Sequence, residues 1–250
     1  MPNDQPKLDE REMGFLDHLE ELRQRILIAV LSVLVVSIVA AFYADFLVKD
    51  LLLGPLLAVG LKAQVLTPYG IMLTYMQVVV VMGIIGAMPI ILYQLWKFVA
   101  PGLMPNERKY ASSIVFFTSL CFLTGILFAY FVLVPTALKF FSTFGTDVFT
   151  LNIAINEYIS FMLSLILGAG LVFELPMITY FLTKIGIINP AMMRKYRRHS
   201  IVGILIISAI VTPTPDIMTQ SLLAAPMILL YEISIFISML AKKKTTRESA

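Results

Sequence analysis

Six apolar stretches, each set off from the next by a polar or proline-marked break, give this chain its pattern. They run from Ile26 to Ala44, Ile71 to Trp96, Ala111 to Val134, Tyr158 to Leu182, Ile201 to Val211 and Ile217 to Leu240. A hydrocarbon core about 30 Å thick is crossed by roughly 20 apolar residues in a helix. The fifth stretch, 11 residues long, would rise only about 16 Å. The pattern predicts an all-α membrane protein of six transmembrane helices in a single domain, residues 1–250, with short fifth and sixth helices. Pro135 closes the third stretch, and Pro89, Pro176 and Pro226 predict bends inside the second, fourth and sixth. Thr212-Pro213-Thr214-Pro215 predicts a tight return, so 201–240 reads as a short helical pair. Such a pair either thins the bilayer locally or is sheltered inside an oligomer.

Composition sharpens this picture. The chain is 59% hydrophobic and only 14% charged, an excess of apolar surface that a soluble domain of 250 residues does not need. The basic residues alternate in location along the chain. Sixteen of the 19 Lys and Arg lie before the first stretch, between the second and third, between the fourth and fifth, or after the sixth. Only Lys49, Lys62 and Lys139 lie in the other set of loops. Basic loops stay cytoplasmic, so both termini are expected in the cytoplasm, with residues 1–25 as an N-terminal cytoplasmic segment and 241–250 as a tail. The N-terminus is acidic (Asp4, Asp9, Glu10, Glu12, Asp17), unlike a cleavable signal peptide, so the first stretch is expected to stay in the mature protein.

Three places could carry chemistry. In residues 14–25, Phe15, Leu16, Leu19, Leu22 and Ile26 repeat at helical spacing. This predicts an amphipathic helix at the interface that turns into the first span. Its other face presents His18, Glu21 and Arg25, and the last two can pair at i, i+4. The face is either a solvated run of charges or an acidic site for a cationic ligand. The second place is the loop Phe98 to Arg108. There Asn106 can cap a helix and leave Glu107 in its first turn, where the dipole favours an anion. Placed near Glu21, Glu107 would complete a pair of carboxylates suited to two guanidinium groups. The third is Glu174, deep in the fourth stretch, where an ionisable group is costly. It is either a neutral acid held for packing or a functional site. Glu232 and Gln220 are weaker cases of the same kind.

Other chemistries find no support. Cys121 is the single cysteine and lies in an apolar stretch, as a packed or lipid-facing residue. His18 and His199 are the only histidines, and no nucleophile has a base at recognisable spacing. No metal set, phosphate loop, cofactor motif or basic–aromatic stretch for nucleic acid is visible. The residues alone leave three classes open: a receptor for a cationic segment, an ion-coupled solute transporter working through Glu174, and a scaffold. The transporter class is disfavoured because the two halves do not match as inverted repeats would.

From about residue 14 to 240 the chain resembles the TatC family. The resemblance rests on His18-Leu19-Glu20-Glu21-Leu22-Arg23, Pro89-Ile90-Ile91-Leu92-Tyr93-Gln94-Leu95-Trp96, and Phe98-Val99-Ala100-Pro101-Gly102-Leu103 followed by Glu107-Arg108. It continues through Phe128-Ala129-Tyr130-Phe131, Phe173-Glu174-Leu175-Pro176, Thr212-Pro213-Thr214-Pro215-Asp216 and Leu222-Leu223-Ala224-Ala225-Pro226. The resemblance implies six spans in a cup-like arrangement in the cytoplasmic (inner) membrane of a bacterial-type cell. It implies a non-enzymatic receptor that binds twin-arginine signal peptides of folded precursors. Export would then be driven by the proton-motive force with TatA- and TatB-type single-span partners, in a self-associated complex surrounded by lipid. Carried over by position, Glu21 and Glu107 are the recognition acids, with Arg23, Phe98, Pro101 and Arg108 as their neighbours. Glu174 takes the polar position of the concave face, Gln220 the glutamine after the short turn, and Pro55 the proline of the first outer loop. After Thr67-Pro68 the chain lacks an acid that relatives often carry.

Overall fold

A computed structural model describes residues 15–99, 111–143, 153–212 and 217–248. The first helix, α1, spans Phe15–Phe42 without interruption. No glycine or proline falls inside it, so nothing stops the helical hydrogen-bond ladder. The turn expected between the amphipathic segment and the first span is not formed. At 28 residues the helix is about 42 Å long, more than a hydrocarbon core requires. Its first turns therefore project beyond the apolar run and carry the polar face with them.

A turn at Ala44–Phe46, a π-helical segment Leu47–Leu52 and the short helix α2, Gly54–Ala58, follow. Pro55 sits in the first turn of α2 and has no N–H to donate to the Leu51 carbonyl. The Tyr130 hydroxyl donates to that carbonyl instead, at 2.9 Å, and Tyr158 donates to the next one, Leu52, at 2.6 Å. Two tyrosines from later helices thus satisfy the backbone that the proline and the π-turn leave open. A two-residue parallel bridge between β1, Ala63–Gln64, and β2, Ile153–Ala154, ties the same loop to the start of the fourth span.

The second long helix, α3, spans Gly70–Val99 and runs through Pro89 without a break. It lies close against α1: a Cβ on Gly83 would sit 1.9 Å from the Ser37 hydroxyl, so only glycine fits. The third apolar stretch does not end at Pro135. Helix α4, Ala111–Phe128, passes through a π segment, Ala129–Leu133, into α5, Val134–Thr143. The Val134 N–H reaches back to the Ala129 carbonyl, and this longer register carries the helix past a residue that cannot donate. Cys121, in α4, is a free, half-buried thiol.

The fourth stretch divides as its proline suggests. Helix α6, Ile155–Val172, stops at Phe173–Glu174, and α7, Leu175–Lys184, restarts with Pro176 in its first turn. Helix α6 is the hub of the core, burying Ile159, Met162, Leu163 and Leu165. It approaches α4 closely: a Cβ on Gly125 would lie 2.7 Å from the Ala169 carbonyl, and one on Gly170 would lie 2.7 Å from the Phe122 ring.

After α8, Pro190–Lys195, the short helix α9 spans Arg197–Val211. It begins four residues before its apolar run, yet its 15 residues rise only about 22 Å. The last helix, α10, spans Ile217–Glu248 and continues through Pro226. The sixth element is therefore not short, because 24 residues, Ile217–Leu240, are apolar enough to cross. Among the described residues, five helices are long and apolar enough to cross a membrane: those within Asp17–Phe42, Gly70–Val99, Ile114–Thr143, Ile155–Lys184 and Ile217–Leu240.

Candidate functional site

The polar face of α1 meets the far end of α3. The His18 imidazole stacks flat on the Phe98 ring, with centroids 4.3 Å apart and planes 11° from parallel. This contact joins residues 80 positions apart in sequence and places the first turns of α1 against the end of α3. Three residues along α1, on the His18 side, lies Glu21. Its Oε1 accepts from two nitrogens of Arg25, Nε at 3.0 Å and Nη2 more closely. Its Oε2 faces His18 Nδ1 at 3.6 Å, longer than a hydrogen bond. Oε2 is shielded from solvent and has no donor among the described residues. The Glu21 and Arg25 side chains are only 21% and 13% exposed, so this pair is not an ordinary surface contact.

The other expected site residues divide into those the structure describes and those it does not. Arg23 points away and is paired loosely with Glu20 at 3.5 Å. Phe98 is half-buried under His18. Pro101, Glu107 and Arg108 lie outside the described residues. Pro55 belongs to the tyrosine-braced loop described above.

Glu174 occupies the break between α6 and α7 and is 5% exposed. Its backbone carbonyl accepts from Met177 and Ile178, which starts α7. Its Oε1 is buried with no donor among the described residues. Gln220 holds the short helix to the last one: its Nε2 donates to the Leu205 carbonyl at 2.9 Å. Glu232 pairs with Arg197 at 2.8 Å and clamps the start of α9 to α10. Beside it the Tyr231 hydroxyl donates to the Met193 carbonyl and accepts from Ser200, both at 2.9 Å. The Thr183 and Ser238 hydroxyls meet at 2.7 Å between α7 and α10, and Ser160 donates to Gln77 at 3.0 Å between α6 and α3.

Sequence reasoning singled out His18, Glu21 and Arg25 as one face and foresaw the Glu21–Arg25 pair. It did not find the His18–Phe98 stack or the Arg197–Glu232 clamp, because no local spacing signals a contact between distant helices. Among the described residues no group of three or more His, Cys, Asp or Glu converges as metal ligands would. The arrangement can bind a cation through carboxylate oxygen; among the described residues it does not pair a nucleophile with a base.

Known proteins resemble this chain over most of its length. The family model for TatC, the Sec-independent protein translocase protein, matches residues 17–226. A Sec-independent protein translocase protein TatC from Carboxydothermus hydrogenoformans is 39% identical over 237 residues, covering 95% of this chain and 97% of the relative. TatCy from Bacillus subtilis is 37% identical over 244 residues, covering 96% and 94%. A crystal structure of a twin-arginine translocase receptor, TatC, superposes with a TM-score of 0.82 at 36% identity, covering 90% of this chain and 99% of the other. The chain is a multi-pass membrane component of a protein-transport system rather than an enzyme, and it belongs to the TatC family of twin-arginine translocase proteins.

Proposed function

We propose that this chain is the receptor that binds twin-arginine signal peptides of folded precursors, with Glu21 and Glu107 as the two carboxylates that take the paired guanidinium groups. The observation that carries this reading is the His18–Phe98 stack. It anchors the helix bearing Glu21 to the residue from which the chain reaches Glu107 in nine further positions. A guanidinium fork matches a carboxylate geometrically, and the partly enclosed setting of Glu21 strengthens such a bond. The resemblance adds Pro101 and Arg108 to this cradle beside Phe98, while Arg23, paired with Glu20, has at most a peripheral part in it. The many basic residues on the same side repel arginines elsewhere, so the two acids stand out.

In this reading both termini are cytoplasmic, the membrane is the cytoplasmic one, and α9 makes a sixth, short crossing in a cup-shaped arrangement. TatA- and TatB-type helices and further copies of the chain complete the translocase, and export draws on the proton-motive force. Glu174 offers its carboxylate to a polar group on a partner helix or on the inserted signal, and Gln220 keeps α9 against α10.

Photocrosslinkers placed at 21, 107 and 174 test this. Positions 21 and 107 are expected to capture the arginine region of a precursor, and 174 a partner helix or the signal's apolar segment. Glu107→Ala, and to a lesser degree Glu21→Ala, should weaken signal-peptide binding while the protein stays in the membrane at normal amount. Wild-type crosslinking yield in both variants would refute the reading.

A further inference from the structure

Resting on that reading of Glu21, we infer that Arg25 is a resident guanidinium that occupies the recognition carboxylate when no peptide is bound and sets what can displace it. Neither oxygen of the Glu21 carboxylate stands open: Oε1 is taken and Oε2 is buried. Arg25 engages Oε1 through two nitrogens, while Oε2 has no donor among the described residues. Local geometry keeps Arg25 there. It follows Glu21 by one helical turn, in the order that favours the pair, and its side chain is 13% exposed. The neighbouring position is already filled by the His18 ring, which is pinned on Phe98 and stands 3.6 Å from Oε2.

Oε2 is shielded from solvent, so a peptide arginine that forks onto both oxygens must take Oε1 from Arg25. Binding in that mode exchanges one guanidinium for another. The exchange is nearly even for an arginine, because the fork that leaves is matched by the fork that arrives. It is uphill for a lysine, whose ammonium is a single strongly hydrated point charge and cannot reproduce the pair of N–H contacts it removes. Arg25 thus acts as a specificity-determining residue that penalises dilysine leaders more than diarginine ones.

The test uses the full chain in lipid nanodiscs and two fluorescent signal peptides, one diarginine and one with both arginines replaced by lysine. Arg25→Gln is expected to tighten the diarginine peptide by about two- to fivefold, the scale of a partly exposed ion pair. It should tighten the dilysine peptide by more, so that selectivity falls. Arg25→Lys should lie between the two, and in Glu21→Gln the further change Arg25→Gln should alter neither affinity. Unchanged or weaker binding of both peptides to Arg25→Gln would overturn the inference, since Arg25 would then hold Glu21 in place rather than compete for it. A full effect of Arg25→Gln in the absence of the Glu21 carboxylate would overturn it too, as a long-range charge effect. If Glu21→Gln by itself left diarginine binding intact, the receptor role of Glu21 would fail, an outcome distinct from failure of the Arg25 inference.

Discussion

Glu21 and Glu174 are both carboxylates on membrane helices, and their surroundings differ in almost every respect. Glu21 lies near a helix end, where the same helix supplies its partners: Arg25 one turn on and His18 three residues back. Glu174 lies in a break between two helix halves, 5% exposed, with an oxygen that no described residue satisfies. A partner drawn from the same turn is cheap to order and easy to exchange, which suits the binding role proposed for Glu21. A buried acceptor without a donor is a standing cost to the folded chain. Such an oxygen is suited to a donor supplied from outside the described residues. Asp45 gives a third setting: exposed to water, it accepts from Lys49 at 2.8 Å and from the Tyr75 hydroxyl at 2.7 Å.

The contrast can be broken at each of these places. The largest effect is expected from Glu174→Leu. Replacing a buried, unsatisfied acceptor with an apolar side chain should stabilise the isolated chain by about 1–3 kcal/mol, seen as a raised thermal midpoint in detergent. Export of a twin-arginine precursor should be lost in the same variant. A lowered midpoint would mean that Glu174 is well bonded, and the contrast with Glu21 would collapse.

A smaller effect is expected at His18. His18→Ala removes the ring stacked on Phe98, a contact worth about 0.5–1.5 kcal/mol, and should weaken signal-peptide binding by up to about tenfold. His18→Phe keeps the stack and should restore binding. If phenylalanine fails where histidine succeeds, the imidazole matters for its nitrogen near Glu21 and not for its stacking.

The smallest effect belongs to Asp45. The Lys49 ammonium, and after it the Tyr75 hydroxyl, hold its carboxyl below the ordinary value of 3.8. A group whose folded pKa is depressed contributes fully above its unfolded pKa and loses that contribution as pH falls through the folded one. The thermal midpoint should therefore respond to Asp45→Asn only slightly between about pH 5 and 8. Even that response should vanish below the folded pKa, or in high salt, which screens exposed pairs. A large loss at neutral pH would show that water does not weaken this pair as its exposure implies.

The sequence by itself determined what depends on composition and on neighbours along the chain. Apolar runs long enough to cross a bilayer, the uneven distribution of Lys and Arg, the weak point before Pro176 and the i, i+4 pairing of Glu21 with Arg25 are all local properties, and all were legible. The family resemblance came from ordered short motifs of the same local kind. Only the tertiary structure decided how prolines and long-range partners are used. Pro135 looks like a stop in sequence, but a π-turn carries the helix past it. Pro55 matters through a carbonyl that Tyr130 reaches from 79 residues away. His18 finds Phe98, and Arg197 finds Glu232, only once the helices are packed. The physical reason is that helix formation is set by dihedrals and hydrogen bonds within a few residues. The satisfaction of an exposed carbonyl or charge depends on whichever side chain another helix brings to it, and no spacing in the chain records that.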